Sequence, residues 1–332
     1  MIKKLAMTLA AAALLFATGC GDSKTPLLTY VARANSDSIP HLYTLNSSTG
    51  QSTAVSIPIP DSAYYVSSNS DASKVTYCRW VGDTETYEIF VMGTDGVEKQ
   101  LTTNTDACES VFSPDGKTIA YISLQTGDFV TYTMNADGSN QKAFYLPDAG
   151  TFEQFYPQFS ADGKSLVFYG EIESFSSNAR HQHKGVQVPH WSHHKVNPRT
   201  KVKNSVVSDN GWYVMHLSDS TPTLAYATDS WWGPAVFTHD GSKLLLTMWD
   251  GTDDNIFSVN LDGTGLTPLT TSTDTDNFSP VPYKNLILFN RYNGETSSWD
   301  IYSMDQNGGN QTLVHSTADT SETLLDSYWS GD

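Results

Sequence analysis

Six carboxylates recur at comparable places along the 332-residue chain. Asp106, Glu109, Glu153, Asp229, Asp276 and Asp326 each stand just before or within a short apolar stretch. Carboxylates gathered from separate stretches can hold a hard cation such as Ca2+, which prefers oxygen ligands. Paired, they can also divide acid and base work. Asp250-Gly251-Thr252-Asp253-Asp254-Asn255 has a calcium-like composition but is short for a dedicated loop, and reads first as a polar turn. Trp231 and Trp232 form an adjacent pair of the kind that anchors a partner or a sugar, or packs on a neighbouring element. His181, His183, His190, His193 and His194 share one segment with Arg180, Lys184, Lys195, Arg199, Lys201 and Lys203. Such a tract binds transition metals or is simply a solvated loop. There is no G-x-S-x-G elbow, H-E-x-x-H pair, G-x-G-x-x-G turn or phosphate-binding loop, so no motif names a reaction.

Two turn signatures supply the elements that must position these side chains. The first is Phe112-Ser113-Pro114-Asp115-Gly116, repeated as Phe159-Ser160-Ala161-Asp162-Gly163 and Phe237-Thr238-His239-Asp240-Gly241. Its residue types suit a type I turn, and strand-like runs follow it at 118–123, 165–169 and 243–249. Weaker copies lie around Asp71 and before 285–290. The second runs Tyr132-Thr133-Met134-Asn135-Ala136-Asp137-Gly138. It returns at Phe90-Val91-Met92, Phe257-Ser258-Val259 and Tyr302-Ser303-Met304, with Tyr43-Thr44-Leu45 and Tyr213-Val214-Met215 completing six. The signatures alternate, so each unit holds four strands joined by tight turns. The spacing of about 44 residues matches one propeller blade. Leu244-Leu245-Leu246 and Leu286-Ile287-Leu288-Phe289 are apolar on both faces, as strands stacked between blades must be.

The expected fold is all-β: a six-bladed β-propeller of four-stranded antiparallel blades spanning residues 27–332. The end of the chain, Tyr328-Trp329-Ser330-Gly331-Asp332, looks like the start of another first-signature turn, while 28–32 reads as the strand that follows one. The C-terminal strand is therefore expected to pair with the N-terminal blade, closing the ring and hiding sheet edges. Innermost strands would then line a central channel with an acidic mouth, where Ca2+ could sit. His41, His216, His239 and His315 fall on outer strands or turns. The fourth blade is interrupted at about 172–210, and its basic segment, 175–208, is expected to fold over the acidic mouth as an electrostatic lid weakened by salt.

These repeats resemble those of the TolB-like β-propeller family, TolB being the periplasmic component of a bacterial envelope-spanning system. The resemblance covers roughly residues 27–332 and implies a binding propeller in the cell envelope. TolB carries an α/β domain ahead of its propeller. Here only six residues separate Cys20 from the first strand, so that domain is expected to be absent. Oligogalacturonate lyases are similar in design, with histidines that hold a metal, and imply the alternative of a carbohydrate-active lyase or hydrolase using channel acids and a divalent cation. The absence of histidine from the inner strands favours a non-catalytic role.

The start of the chain addresses location. Lys3 and Lys4 precede the apolar run 5–17, which is too short to span a bilayer, and Ala17-Thr18-Gly19-Cys20 resembles the bacterial lipobox. Residues 1–19 read as a lipoprotein signal peptide, Cys20 as the lipidated residue, and 20–26 as a tether. The mature protein is expected in the bacterial envelope, anchored to a membrane through Cys20 and facing the periplasm or the exterior. A formal charge of −17 argues against nucleic acid and for an envelope protein or a basic peptide as partner, with the propeller itself a monomer. Cys78 and Cys108 are compatible with one bridge in an oxidising compartment or with two buried thiols. Cys20→Ser is expected to abolish acyl labelling and release the protein from membranes; acylation and retention that both survive the change would overturn the assignment.

Overall fold

A computed structural model of the chain describes residues 28–33, 41–46, 49–60, 62–146, 152–172, 209–228, 233–293, 298–316 and 323–325. Among them there is no helix, and 24 strands form six four-stranded antiparallel sheets. Blade one contains β1 (Leu28–Arg33), β2 (His41–Leu45) and β3 (Ser52–Pro58). Blade two contains β4 (Tyr64–Ser68), β5 (Lys74–Val81), β6 (Thr86–Gly93) and β7 (Glu98–Gln100). Blade three contains β8 (Ala107–Phe112), β9 (Thr118–Ser123), β10 (Val130–Asn135) and β11 (Lys142–Ala143). Blade four contains β12 (Glu153–Phe159), β13 (Ser165–Glu171), β14 (Gly211–His216) and β15 (Thr223–Ala227). Blade five contains β16 (Val236–Phe237), β17 (Lys243–Trp249), β18 (Asp254–Asn260) and β19 (Thr267–Pro268). Blade six contains β20 (Asn277–Tyr283), β21 (Leu286–Asn293), β22 (Ser298–Asp305) and β23 (Thr312–His315). The last strand, β24 (Thr323–Leu325), pairs antiparallel with β1, Val31 opposite Leu325, on the side of β1 away from β2.

The fold is thus a six-bladed β-propeller. β4 packs beside β8, β8 beside β12, β12 beside β16 and β16 beside β20, which places the first strand of each of these blades at the centre. The turn chemistry follows the sequence. Ser113 Oγ donates to Asp115, Asp115 accepts from the Lys117 amide, and Gly116 N–H closes the turn on Ser113 O at 2.8 Å. Ser160 with Asp162 and Thr238 with Asp240 repeat the arrangement. These turns and the second-signature turns lie at one end of each blade. The connections from second to third strand, and from one blade to the next, lie at the other.

Both faces of the second strands are buried. Leu244 and Leu246 join the core shared by blades two to five, whereas Leu245 packs with Ile287, Phe289 and Met304 of blade six. Tyr30 and Leu45 pack with Leu288 and Ile301, joining blade six to blade one. Cys78 of β5 and Cys108 of β8 form a disulfide between blades two and three, their Cα atoms 5.1 Å apart, within the range a bridge requires. The bridged pair sits in the same apolar core as Ile89 and Tyr121.

Close approach between blades makes specific demands on two turns. A Cβ on Gly308 would lie 2.3 Å from Leu269 O of the preceding blade, and one on Gly50 would lie 2.2 Å from Val314 O. Both residues have positive φ, 83° and 69°. The second contact joins blade six to blade one, where His315 Nδ1 also lies 3.0 Å from Gly50 O and His315 Nε2 lies 3.3 Å from Tyr30 Oη. Gly241 has a φ of 70° but open space around its missing Cβ, so alanine there meets only the backbone penalty of ~1 kcal/mol. Gly308→Ala meets that penalty and a backbone collision, and should cost about 2–4 kcal/mol. Urea unfolding of both variants tests the difference; equal losses would show that the blades do not depend on this approach.

Candidate functional site

The described acids expected at the mouth lie at the end of the propeller opposite the Gly-bearing turns. Asp106 precedes β8, Glu109 lies within it, Glu153 opens β12 and Asp276 precedes β20. Asp229, Asp326, Trp231 and Trp232 lie outside the described residues, as do Cys20, the His-rich tract and the segment expected to form a lid. The ends from which that segment departs are described. β13 finishes at Glu171 and β14 begins at Gly211, with Glu171 opposite Glu153 in the ladder, so the interruption leaves from the acidic end. His41 opens β2, His216 ends β14, His239 lies between β16 and β17, and His315 ends β23. None of these four is on an innermost strand.

Glu109 owes its placement to a β-bulge. The β8–β9 ladder skips between Cys108 and Val111, and Glu109 takes a left-handed φ of 52°. The inner strands β4, β12 and β20 carry the same irregularity at Tyr65, Tyr156 and Ser279, with φ of 53°, 55° and 50°. A left-handed L-residue costs of order 1 kcal/mol, and a bulge re-aims its side chain. Here the re-aimed Glu109 is buried and accepts the Tyr156 amide of the next inner strand at 2.5 Å. Burial pushes its carboxyl up to about 8, and the Tyr156 hydrogen bond opposes that rise only in part. Glu109 therefore holds a proton at neutral pH and ties blade three to blade four.

Asp106 and Asp276 perform one task in two blades. Asp106 Oδ1 accepts the Tyr87 amide at 3.1 Å, and Asp276 Oδ1 accepts the Asp254 amide at 3.1 Å. Each acid caps the start of a third strand in the preceding blade. Opposite those amides stand Trp80 and Trp249, each at the matching place on a second strand. Blade six carries Tyr292 opposite Trp299 at this place. The result is an aromatic rim. Trp80 packs edge-on against Tyr87 at 5.2 Å and Tyr87 against Tyr64 at 5.5 Å. In blade six, Trp299 meets Tyr292 and Phe278, both at 5.1 Å. Trp80 and Trp249 are 48% and 42% exposed, unusually open for tryptophan. Each of Trp80, Trp249 and Tyr292 stands at the last or next-to-last residue of its second strand, a spacing that the sequence carries.

Blade five departs from the aromatic pattern, because Asp254 stands where blade two has Tyr87. Asp254 is 3% exposed, and burial with the charges of Asp276, Asp253 and Asp250 pushes it up to about 7. Asp253 is raised for the same kinds of reason. Asp250 is held down to about 2 because its oxygens accept from Thr252, the Asp253 amide and Asn255. The run 250–255 is thus a polar turn organised by Asp250, with two further acids pressed against Asp276. A different buried acid, Glu88, is fully satisfied by Thr86, Thr102 and both the amide and the hydroxyl of Thr105. Among the described residues, no three His, Cys, Asp or Glu side chains gather closely enough to hold a metal ion.

No family model and no curated protein matches the chain. Solved structures do. TolB from Acinetobacter baumannii aligns with a TM-score of 0.55 at 17% identity, covering 88% of this chain and 63% of that one. The chain therefore spans less than two thirds of the length of that TolB. A protein assigned to TolB from Agrobacterium tumefaciens aligns at 0.57 and 14% identity, covering 90% and 97%. An oligogalacturonate lyase in complex with manganese aligns at 0.54 and 14%, covering 92% and 74%. The shared feature is the fold, that of TolB-like propellers.

A carboxyl raised from about 4.5 in the unfolded chain to about 8 in the folded one stabilises the fold fully below the lower value, and that stability is lost as pH rises through the upper one. Glu109→Gln keeps an acceptor for the Tyr156 amide without the charge. Its melting temperature should match the parent near pH 4 and exceed it by about 5–10 °C near pH 9. Parallel pH profiles for the two proteins would show that Glu109 ionises freely where it stands.

Proposed function

We propose that the chain is a non-catalytic binding propeller of the bacterial cell envelope, tethered to a membrane through Cys20, that recognises an envelope protein or basic peptide at its acidic, aromatic-rimmed end. The observation that carries this reading is the exposed Trp80, seated on Tyr87 and beside the Asp106 cap. Tryptophan and tyrosine that are rigidly held yet open to solvent are the residue types that dominate binding energy at protein interfaces. The surrounding acids and the chain charge of −17 favour a cationic surface in the partner. The likeness to TolB propellers supports a binding or scaffold role and an envelope location. The likeness to oligogalacturonate lyase leaves a metal-assisted carbohydrate enzyme as the second reading.

Immobilised propeller, challenged with solubilised envelope proteins, should retain a defined partner in stoichiometric amount. Trp80→Ala should reduce that retention at least about tenfold, the scale of an interface hot spot. Val97→Ala, on an exposed residue at the opposite end, should leave it unchanged. Retention indifferent to both changes would remove the rim from the binding surface. Turnover of uronic-acid oligosaccharides by the purified protein with a divalent cation would replace this reading with the enzymatic one.

A further inference from the structure

Blades two and three are joined by a covalent bond that solvent does not touch. Cys78 of β5 and Cys108 of β8 are bridged, and they are 0% and 1% exposed. Tyr65, Ile89, Ala107 and Tyr121 share their core. Thiol–disulfide exchange needs a thiolate that can reach a sulfur, and apolar burial removes both the access and the thiolate. The repeat itself does not ask for cysteine at this place. Cys78 stands opposite Tyr64, the inner-strand residue just before the bulge, and Ile122, Tyr169 and Asn290 hold the same place in blades three, four and six. Consecutive residues then fasten β8 on both sides, Cys108 to blade two and Glu109 to the Tyr156 amide of blade four. A strand held in this way cannot swing out to expose its sulfur unless both neighbours let go.

We infer that the bridge is made on the open chain, before blade three packs on blade two, and that packing then seals it against oxidant and reductant alike. The two cysteines stand 30 residues apart, with β6 and β7 between them. A flexible chain closes a loop of that length readily, because the entropic cost grows only with the logarithm of length. The reaction is exchange with a disulfide-carrying oxidant. One cysteine thiolate attacks a sulfur of the oxidant's disulfide, forming a mixed disulfide and freeing one oxidant thiol. The second cysteine thiolate attacks the protein sulfur of that mixed disulfide and displaces the other oxidant thiol. Two electrons pass to the oxidant, and the two cysteine protons end on its thiols. Neither sulfur of the packed protein can take either step. The order bears on compartment, since a chain that folds where thiols are kept reduced stays reduced after transfer, and the bridged form requires export ahead of folding. This holds whatever the propeller binds.

The test uses the full chain purified from cells with thiols blocked at lysis. Alkylation is read by mass on the peptides that carry Cys78 and Cys108, so that Cys20 is not counted. The purified protein should carry the bridge. Dithiothreitol should reduce it at least about a hundredfold more slowly in buffer than in urea beyond the unfolding midpoint, because only unfolded molecules react. In the converse arm the chain is unfolded, reduced and refolded under reductant, giving a propeller that should melt about 5–10 °C below the parent. Freed of reductant and given glutathione disulfide, it should form the bridge at least about tenfold more slowly than the same reduced chain held in urea. Reduction or bridging of the folded protein at the rate of the unfolded chain would overturn the inference. So would a glutathione adduct trapped on either cysteine of the folded form, since it shows a sulfur within reach. Free thiols at both positions in the purified protein would overturn it too. If the reduced chain does not refold, the reductant arm on the bridged protein decides alone.

Discussion

The packing of one blade against the next controls the rest of this molecule. Each second strand is apolar on both faces because it must satisfy two neighbours, as Leu244 and Leu245 do on opposite sides of blade five. That packing is close enough for backbone to meet backbone. At Gly308 against Leu269 and Gly50 against Val314 there is no room for a single methyl group. The second of these contacts joins the last blade to the first, and the Gly50, His315 and Tyr30 cluster holds that junction through polar groups as well. A face that is wholly committed to packing has no freedom to bind. Chemistry is therefore displaced to the ends of the strands.

The inner strands show what that displacement costs. Four of them bulge at one place, with Tyr65, Glu109, Tyr156 and Ser279 in left-handed conformations that none of these residue types favours. The strain is repaid by contacts across the blade boundary, the clearest being Glu109 to the Tyr156 amide. Elsewhere hydroxyl pairs serve, Thr29 with Ser68 and Thr76 with Ser110, each between a second strand and the next inner strand. A protonated glutamic acid suits this place better than an ionised one, since it satisfies the amide without burying a charge. The acid thus belongs to the architecture, although its position on an inner strand gave it the look of a channel ligand.

The blades were legible in the sequence because their turns have local chemistry. Ser113 and Asp115, or Thr238 and Asp240, are read from the residues alone, and the hydrogen bonds confirm their roles. The bulges were not legible, because positive φ falls on glutamate, tyrosine and serine, which carry no signal for it. The pairing of Cys78 with Cys108 was undecidable for a related reason. It depends on the distance between two blades, which is a property of the stack. The aromatic rim was present in the sequence as Trp80, Trp249 and Tyr292, but only the strand register shows that these occupy one repeated place.

Repetition then separates structural from functional polarity, because each blade is a control for the others. Glu88 and Asn255 occupy one buried place in blades two and five, and both are saturated, Asn255 Oδ1 by Thr270, Ser272 and Asn277. In these two blades the place holds a polar side chain with several acceptor contacts, and either residue type supplies it. Tyr87, Asp254 and Trp299 occupy the preceding place, and here the blades disagree in kind: two rings and one unsatisfied carboxyl. Packing accepts an aromatic ring at this position and gains from it. An acid in the same position loses that packing and adds a desolvation cost, with no donor from the described chain to offset either.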